Sequence, residues 1–580
     1  MQPETKVCQN CKQNFTIEPE DFNFYEKIKV PPPTWCPECR MVRRIAFRNE
    51  RTLYKRNCDL CNKSFIGMYP TGTLFPVYCR NCFISDEWTA DNHAVEYDFN
   101  KPFFSQFLKI FEKVPRPNII HYRTNTNADY SNIIADVKNV YLSSSILNSE
   151  NIYYSYATDE SRDVVDSCFS TKLELCYENT DCLRNNSCAF LFKSKECINS
   201  FFLFDCANCI SCFMSSNLRN KKYVFRNGQM KPGEYKQALE AENISNCSSV
   251  LKLKEEHKNL VKSSIHKFAN IIKSENVSGD NIMNCKNTHF AYGVYNDENC
   301  KYIARVFASK DCYDLYGCTT GELLYESIVP GFQSSCNNFC NFADNLHESF
   351  YSDLCKSSKN LFACIGLRNK QYCILNKQYT KEEYEELVPK IIKHMNDMPY
   401  VDKKGRIYKY GEFFPPELSP FAYNETIDQE YFPLTKKEAL EKGYKWKDRE
   451  ARNYQIDIKT EDLPDNIKDV TDDIINKVIE CEHRGACNEQ CTEAFKIISD
   501  ELQFYRRMNL PLPRLCPNCR HYERLKQRNP LKLWHRTCMC NKENHHNHNA
   551  GKCEIEFETS YAPDRPEIVY CEKCYQQEVY

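Results

Sequence analysis

Phe24–Cys58, FYEKIKVPPPTWCPECRMVRRIAFRNERTLYKRNC, returns near the other end of the chain as Phe504–Cys538, FYRRMNLPLPRLCPNCRHYERLKQRNPLKLWHRTC. Without a gap, at an offset of 480, Phe24/Phe504, Tyr25/Tyr505, Cys36/Cys516, Cys39/Cys519, Arg40/Arg520, Arg44/Arg524, Arg48/Arg528, Asn49/Asn529, Arg56/Arg536 and Cys58/Cys538 coincide. Upstream, Cys11, Phe15 and Ile17 match Cys491, Phe495 and Ile497 at the same offset. Downstream the second copy carries a 12-residue insertion, after which an offset of 492 pairs Cys61/Cys553, Tyr69/Tyr561, Cys79/Cys571 and Cys82/Cys574. The two ends are copies of one module.

This match sorts the cysteines. At the N-terminal end Cys8, Cys11, Cys36 and Cys39 form one set and Cys58, Cys61, Cys79 and Cys82 a second, every pair spaced CxxC. Two thiolates on one tight turn reach the same tetrahedral ion, and two such turns close a zinc site with no position left for water. Each metal therefore holds the fold and does no chemistry. In the C-terminal copy the match assigns Cys491, Cys516 and Cys519 to one site, with Cys487 preferred to Cys481 as the fourth ligand because CNEQC keeps its thiolates within one turn. Cys538, Cys553, Cys571 and Cys574 make the other, for about four structural Zn2+ in all. Cys540, His545, His546 and His548 in the insertion suit either a further ion or a polar His-rich loop, the loop being the simpler reading.

The totals bound the rest. A chain of 580 residues holds several cores, and its 36 cysteines divide as eight at the N-terminal end, ten at the C-terminal end and eighteen between. Met1–Cys11 is polar and no apolar run reaches the ~18 residues of a membrane span, so a reducing cytoplasm is expected, with cysteines as ligands or buried small side chains. A net charge of -2 argues against a protein that coats nucleic acid over its whole surface. It leaves room for local patches. Arg40–Arg56 has seven basic residues and one acidic, and Arg520–Arg536 six and one. Such bridges, interleaved with aromatics, can track phosphates and stack on bases. The contacts expected on that reading are Arg40, Arg43, Arg44, Arg48, Arg524 and Arg528 with phosphate, and Tyr54 and Trp534 with bases. The alternative is a solvated helix whose arginines pair with nearby acids and whose aromatics are core.

Pro102–Lys113 carries Phe104, Phe107, Leu108 and Phe111 on one helical face, which is expected to cover the end of the domain that follows it. From about Asp129 short apolar runs, each opened by Asn, Asp, Glu or Cys, start 11 or 12 residues apart, and the period returns from Asn287. A fixed short period of strand-length segments with few glycines reads as a stacked parallel β-solenoid. Two repeats per coil of about 24 residues would suit a right-handed β-helix. Cys168, Cys176, Cys188, Cys197, Cys206, Cys209 and Cys212 then form a buried ladder, with an iron–sulfur or zinc site around Cys206, Cys209 and Cys212 as the alternative. At an offset of 149, Leu218–Tyr223 (LRNKKY) matches Leu367–Tyr372 (LRNKQY), each string running on into a helix, and so reads as the cap of a duplicated stack.

The expected class is a multidomain, β-rich chain with duplicated pairs of four-cysteine zinc ribbons at both ends, flanking a parallel β-solenoid with a helical insert. The segments are tandem ribbons at 1–100, a docking helix and linker at 101–128, solenoid blocks at 129–230 and 276–379 around a helical insert at 231–275, a helix and Pro/aromatic strap at 380–480, and tandem ribbons at 481–580.

The CPECR and CPNCR strings, LRNKQYCILNKQY (Leu367–Tyr379), GEFFPPELSPFAYNET (Gly411–Thr426) and ETSYAPDRPEIVYCEKCYQQEV (Glu558–Val579) resemble an uncharacterised family of multi-zinc-ribbon proteins of small-genome bacteria. The likeness spans nearly the whole chain and implies the same architecture without an established activity. Some members carry a CaiB/BaiF CoA-transferase label. Such enzymes are doubly wound α/β proteins, and the pattern here offers no matching βαβ run. The leading functional reading is a non-enzymatic zinc scaffold binding nucleic acid, RNA among the candidates, through its basic bridges. Protein assembly or self-assembly through ribbons and strap is second, and an enzyme working on the solenoid face third.

Overall fold

The computed structural model describes residues 2–330, 334–449, 455–543, 545, 548 and 551–580. It is a mixed α/β chain with two large β-sheets, each of twelve strands and built mostly of parallel pairs, and with cysteine clusters near both termini. Two compact units emerge, each drawn from distant segments. One combines Met1–Ile119 with Ala269–Asp448 and Leu531–Leu533; the other combines Ile120–Phe268 with Arg449–Pro530 and Trp534–Tyr580. The N-terminal cysteine module therefore shares a unit with the second parallel stack, and the C-terminal module with the first.

The stacks follow a three-residue rule. From Asp163 to Arg226 every third residue has a left-handed backbone, with φ of 53° at Asp163, 53° at Asp166, 51° at Phe169, 59° at Lys172 and 49° at Leu175. L-residues avoid this region at a cost of roughly 1–2 kcal/mol each, so the surrounding ladder must enforce it. Each such residue turns the chain by one corner, and the residue after it points inward. Ser161, Val164, Ser167, Ser170, Leu173, Cys176, Asn179, Cys182, Asn185 and Cys188 are buried in unbroken succession. Four three-residue sides close one coil, and the strand register agrees: Arg162 pairs with Glu174, Glu174 with Asn186, and Phe201 with Phe213. One coil thus takes 12 residues and a single repeat, which corrects the expected pair of repeats per coil.

The inward positions take Val and Leu beside smaller polar side chains, and the serines and cysteines among them bond the coils together. Ser170 Oγ accepts from Cys182 N at 3.1 Å and lies 3.0 Å from Cys168 O and 3.3 Å from Asn179 O. Cys176 Sγ donates toward Glu174 O at 3.3 Å and Asn185 O at 3.5 Å, so serine and cysteine serve the same position. Burial pushes the Cys176 thiol up to about 12, leaving it a protonated donor. In the second stack one coil is longer by a residue, Tyr325 pairing with Asn338. This changes the offset between the stacks from 148, as for Asp166 and Asp314, to the 149 of the LRNK strings.

Each stack ends in a hairpin after its LRNK string: Lys222–Phe225 pairs antiparallel with Gly228–Gln229, and Gln371–Ile374 with Lys377–Gln378. Helices Pro232–Ala241 and Lys381–Asp397 follow. The helix Phe103–Phe111, expected to cover the end of the domain that follows it in sequence, belongs to the unit that holds the second stack. Its Phe103 ring meets Tyr351 at 5.1 Å and Phe362 at 5.7 Å on the second stack, and Phe107 meets Phe414 of the strap at 5.0 Å. Aromatic burial decided its partner, since the strap's Phe413, Phe414, Phe421 and Tyr423 are all buried in that unit. Among the described residues no helix is long and apolar enough to cross a membrane.

Candidate metal centres and the basic bridges

Four clusters each gather four cysteine sulfurs: Cys8, Cys11, Cys36 and Cys39; Cys58, Cys61, Cys79 and Cys82; Cys481, Cys491, Cys516 and Cys519; Cys538, Cys553, Cys571 and Cys574. Local structure explains each. The first pair of a set lies on a hairpin turn, where Cys8 N donates to Gln13 O at 2.9 Å and Cys58 N to Lys63 O at 2.9 Å. The second pair opens a helix. Cys36, Cys79, Cys516 and Cys571 are N-cap residues of Pro37–Ile45, Arg80–Ile84, Pro517–Leu525 and Glu572–Val579. A helix start favours thiolate over thiol. In every cluster the N-cap cysteine's N–H donates to the leading sulfur of the hairpin at 3.2 Å: Cys36 to Cys8, Cys79 to Cys58, Cys516 to Cys481 and Cys571 to Cys538.

A Zn–S bond of about 2.3 Å in tetrahedral geometry sets sulfurs about 3.8 Å apart. The separations are 3.7 Å for Cys11–Cys36, 3.8 Å for Cys61–Cys79, 3.9 Å for Cys491–Cys516 and 4.0 Å for Cys553–Cys571. Burial raises the Cys58 thiol, yet the N–H groups of Cys61 and Cys79 prevail and bring it down to about 7. The donor sets suit about four closed, structural Zn2+ sites.

In the third cluster, where the sequence prefers Cys487, both candidate sulfurs lie close to Cys519, Cys487 at 3.7 Å and Cys481 at 4.0 Å, and Cys481 gathers with Cys491, Cys516 and Cys519. Cys481 stands where Cys8 stands, on the two shared bonds: it receives the helix N–H, and its own N–H donates to Glu493 O at 2.8 Å to close the hairpin. The turn between its two thiolates has been lengthened, as the insertion lengthens that between Cys538 and Cys553, where Cys538 N still reaches Ile555 O at 2.9 Å. Cys487 rides on the enlarged turn with its sulfur 3.7 Å from Cys519. The interrupted Cys538–Cys553 turn was the sequence signal that the first turn could be interrupted too. In the insertion, Cys540, His545 and His548 gather with Cys574, and His546 lies outside the described residues.

Most arginines of the basic bridges, of which phosphate contacts were expected, are turned inward onto carboxylates. Arg40, Arg43, Arg44, Arg48 and Arg524 are at most 2% exposed. Arg40 Nε donates to Asp314 Oδ2 at 3.0 Å and Arg44 Nη1 to Asp314 Oδ1 at 3.0 Å. Arg43 bridges Glu326, at 2.6 Å, and Glu412, at 2.7 Å, while Arg48 pairs with Glu50. In the other unit Arg524 meets Asp166 Oδ1 at 2.8 Å and Arg520 meets Asp166 Oδ2 at 2.6 Å. Arg528 pairs with Asp181 at 3.0 Å, its guanidinium 3.5 Å from the Phe169 ring centroid. Tyr54 is half-buried with its hydroxyl on Glu425, and Trp534 is half-buried in a strand whose Cα partner is Thr559.

The acids that receive these arginines were missed from the sequence. Asp166 and Asp314 occupy equivalent left-handed corners of the two stacks, with φ of 53° and 57°, a position that a short polar side chain tolerates well. Aromatics repeat around them: Arg520 lies over Tyr154 at 4.6 Å and Arg40 over Tyr302 at 5.3 Å, while Tyr505 meets Tyr177 at 5.7 Å and Tyr25 meets Tyr325 at 5.3 Å. Module and stack were thus duplicated together with the surface that joins them. No protein-family model matches the chain, and the search of curated proteins returns no match.

Proposed function

We propose that the chain is a non-enzymatic protein-assembly scaffold made of two β-solenoids, each clamped by a zinc-ribbon head. The observation that carries this reading is the use of the arginines: those which composition offers to phosphate are buried against Asp314, Glu326, Glu412 and Asp166. Withdrawing a buried guanidinium from its carboxylate to meet a phosphate would leave an uncompensated buried charge, at a cost of several kcal/mol. Closed zinc sites and stacks joined through backbone ladders favour persistence of shape over turnover. The outer faces of stacks and ribbons are then offered to other proteins, or to a second copy of the chain.

The test is fluorescence anisotropy of the zinc-replete chain against mixed single-stranded RNA and duplex DNA over a salt series, beside light scattering of the chain alone and with a cell extract. The scaffold reading expects no binding that falls steeply with salt. A slope implying roughly five or more phosphates would overturn it in favour of a nucleic-acid protein.

A further inference from the structure

Cys574 belongs to two clusters at once: the Cys538, Cys553, Cys571 set and the Cys540, His545, His548 set. We propose that its thiolate bridges two zinc ions, so that the second C-terminal site is binuclear, with the inner ion on four cysteines and the outer on Cys540, His545, His548 and the shared Cys574.

Three observations carry this. The first is spacing. Zn–S of about 2.3 Å and Zn–N of about 2.05 Å place sulfur and nitrogen about 3.6 Å apart on one tetrahedral ion. Cys540 Sγ lies 3.6 Å from His545 Nδ1. The second is the tautomer. His545 Nε2 lies 2.9 Å from Glu578 Oε1, a carboxylate that fixes the proton on Nε2 and leaves the Nδ1 lone pair facing Cys540. A carboxylate behind a ligating imidazole is the usual support of a zinc histidine. The third is an orphan. Both ring nitrogens of His548 are buried, and neither has a hydrogen-bond partner among the described residues. Buried polar atoms are seldom left so, and a metal ligand would satisfy one of them.

The chain holds these groups in register. Cys553 N donates to Cys540 O at 2.8 Å, tying the outer ligand to the inner set, and His548 N donates to His545 O at 3.2 Å, holding the two histidines together. Charge also favours sharing. A lone Zn2+ on four thiolates carries a formal charge of about -2, whereas two Zn2+ on five thiolates and two neutral imidazoles carry about -1. The insertion would then have brought a second ion to an existing site rather than a free loop.

The experiment is metal analysis of the full chain with 113Cd NMR of the cadmium-substituted protein. Wild type should hold about five ions per chain, and His548→Ala and Glu578→Gln should release one under mild chelation that leaves the others bound. One thiolate-rich cadmium resonance should show coupling to a second resonance of mixed sulfur and nitrogen character, and His548→Ala should abolish both the second resonance and the coupling. About four ions in wild type, unchanged by His548→Ala, would overturn the site. Five ions without the coupling would overturn the bridge.

Discussion

Arg44 reaches Asp314 across 270 residues of sequence, its Nη1 3.0 Å from Oδ1, and Arg524 repeats the bond on Asp166 at 2.8 Å. In each unit a second arginine, Arg40 or Arg520, takes the other carboxylate oxygen. One corner aspartate thus receives two guanidinium groups from the helix that begins at the second CxxC of a zinc site. Zinc held by that site would order the start of the helix, and the helix carries the arginines to the stack.

Removing the aspartate should cost more than removing one arginine. Asp166→Ala would leave Arg520 and Arg524 buried with one anionic partner fewer, and an uncompensated buried charge costs about 3–5 kcal/mol. Arg524→Ala leaves Arg520 on Asp166 and should cost less. Urea unfolding of both variants orders them, and an Asp166→Ala chain as stable as wild type would refute the clamp.

Zinc removal should weaken the stacks along with the modules. Structural zinc contributes roughly 10 kcal/mol or more to the folding of its site, and the chain around it supplies Phe24, whose ring stacks on Tyr313 at 3.9 Å. Chelation should therefore lower the thermal transition of the strand signal in circular dichroism while a colorimetric chelator counts the zinc released. A strand transition indifferent to zinc would count against the units as described.

Cys481→Ser and Cys487→Ser separate the two candidates for the third site. The first variant should lose one zinc per chain, or hold it at least 10-fold more weakly, since it removes the sulfur that receives Cys516 N at 3.2 Å. The second should keep all its zinc. The reverse pattern, read by metal analysis after dialysis, would return the ligand to Cys487.

How far the chain could be read from its sequence follows from the range of each interaction. The CxxC pairs were legible because thiolates sharing an ion must be close in sequence or be repeated, and here they are both. A period of 11 or 12 was legible as well, but coil closure was not: the strand-length apolar runs mask the series Ser161, Val164, Ser167, Ser170, Leu173, Cys176, whose three-residue spacing gives the sides. The basic bridges misled because composition counts charges without locating their partners. Asp314 lies 270 residues from Arg44, and nothing local to either marks the pair.

Glu501 gives the pH dependence. Burial raises its carboxyl from the ordinary 4.5 to about 7, opposed by the neighbouring Arg520, while the hydroxyls of Tyr154 and Tyr505 donate to it at 2.8 and 2.9 Å. A carboxyl whose folded value is raised binds its proton more tightly when folded. Its contribution is fully present below pH 4.5 and is lost as pH rises through about 7. A shift of this size corresponds to about 3 kcal/mol. Between pH 5 and 8, Glu501→Gln should therefore show a smaller fall in stability than wild type by about that amount. Because acid also competes with zinc for thiolates in both chains, the comparison between them isolates Glu501. Parallel pH profiles would mean that the carboxyl is ionised throughout.

The last prediction concerns the inward ladder. Ser170 Oγ accepts from Cys182 N at 3.1 Å and lies within bonding distance of two carbonyls, so Ser170→Val fits the space but strands a buried N–H. Such a group left unsatisfied costs about 1–3 kcal/mol. Ser170→Cys should be milder, because both stacks already place cysteines at equivalent positions: in the same stack Cys176 Sγ lies 3.3 and 3.5 Å from its two carbonyls, and in the second stack Cys285 Sγ accepts from Asp297 N at 3.4 Å. Denaturant unfolding should rank wild type first, Ser170→Cys next and Ser170→Val last. If valine equals cysteine, the inward positions select for volume alone, and the serines and cysteines would be fillers rather than bonds between coils.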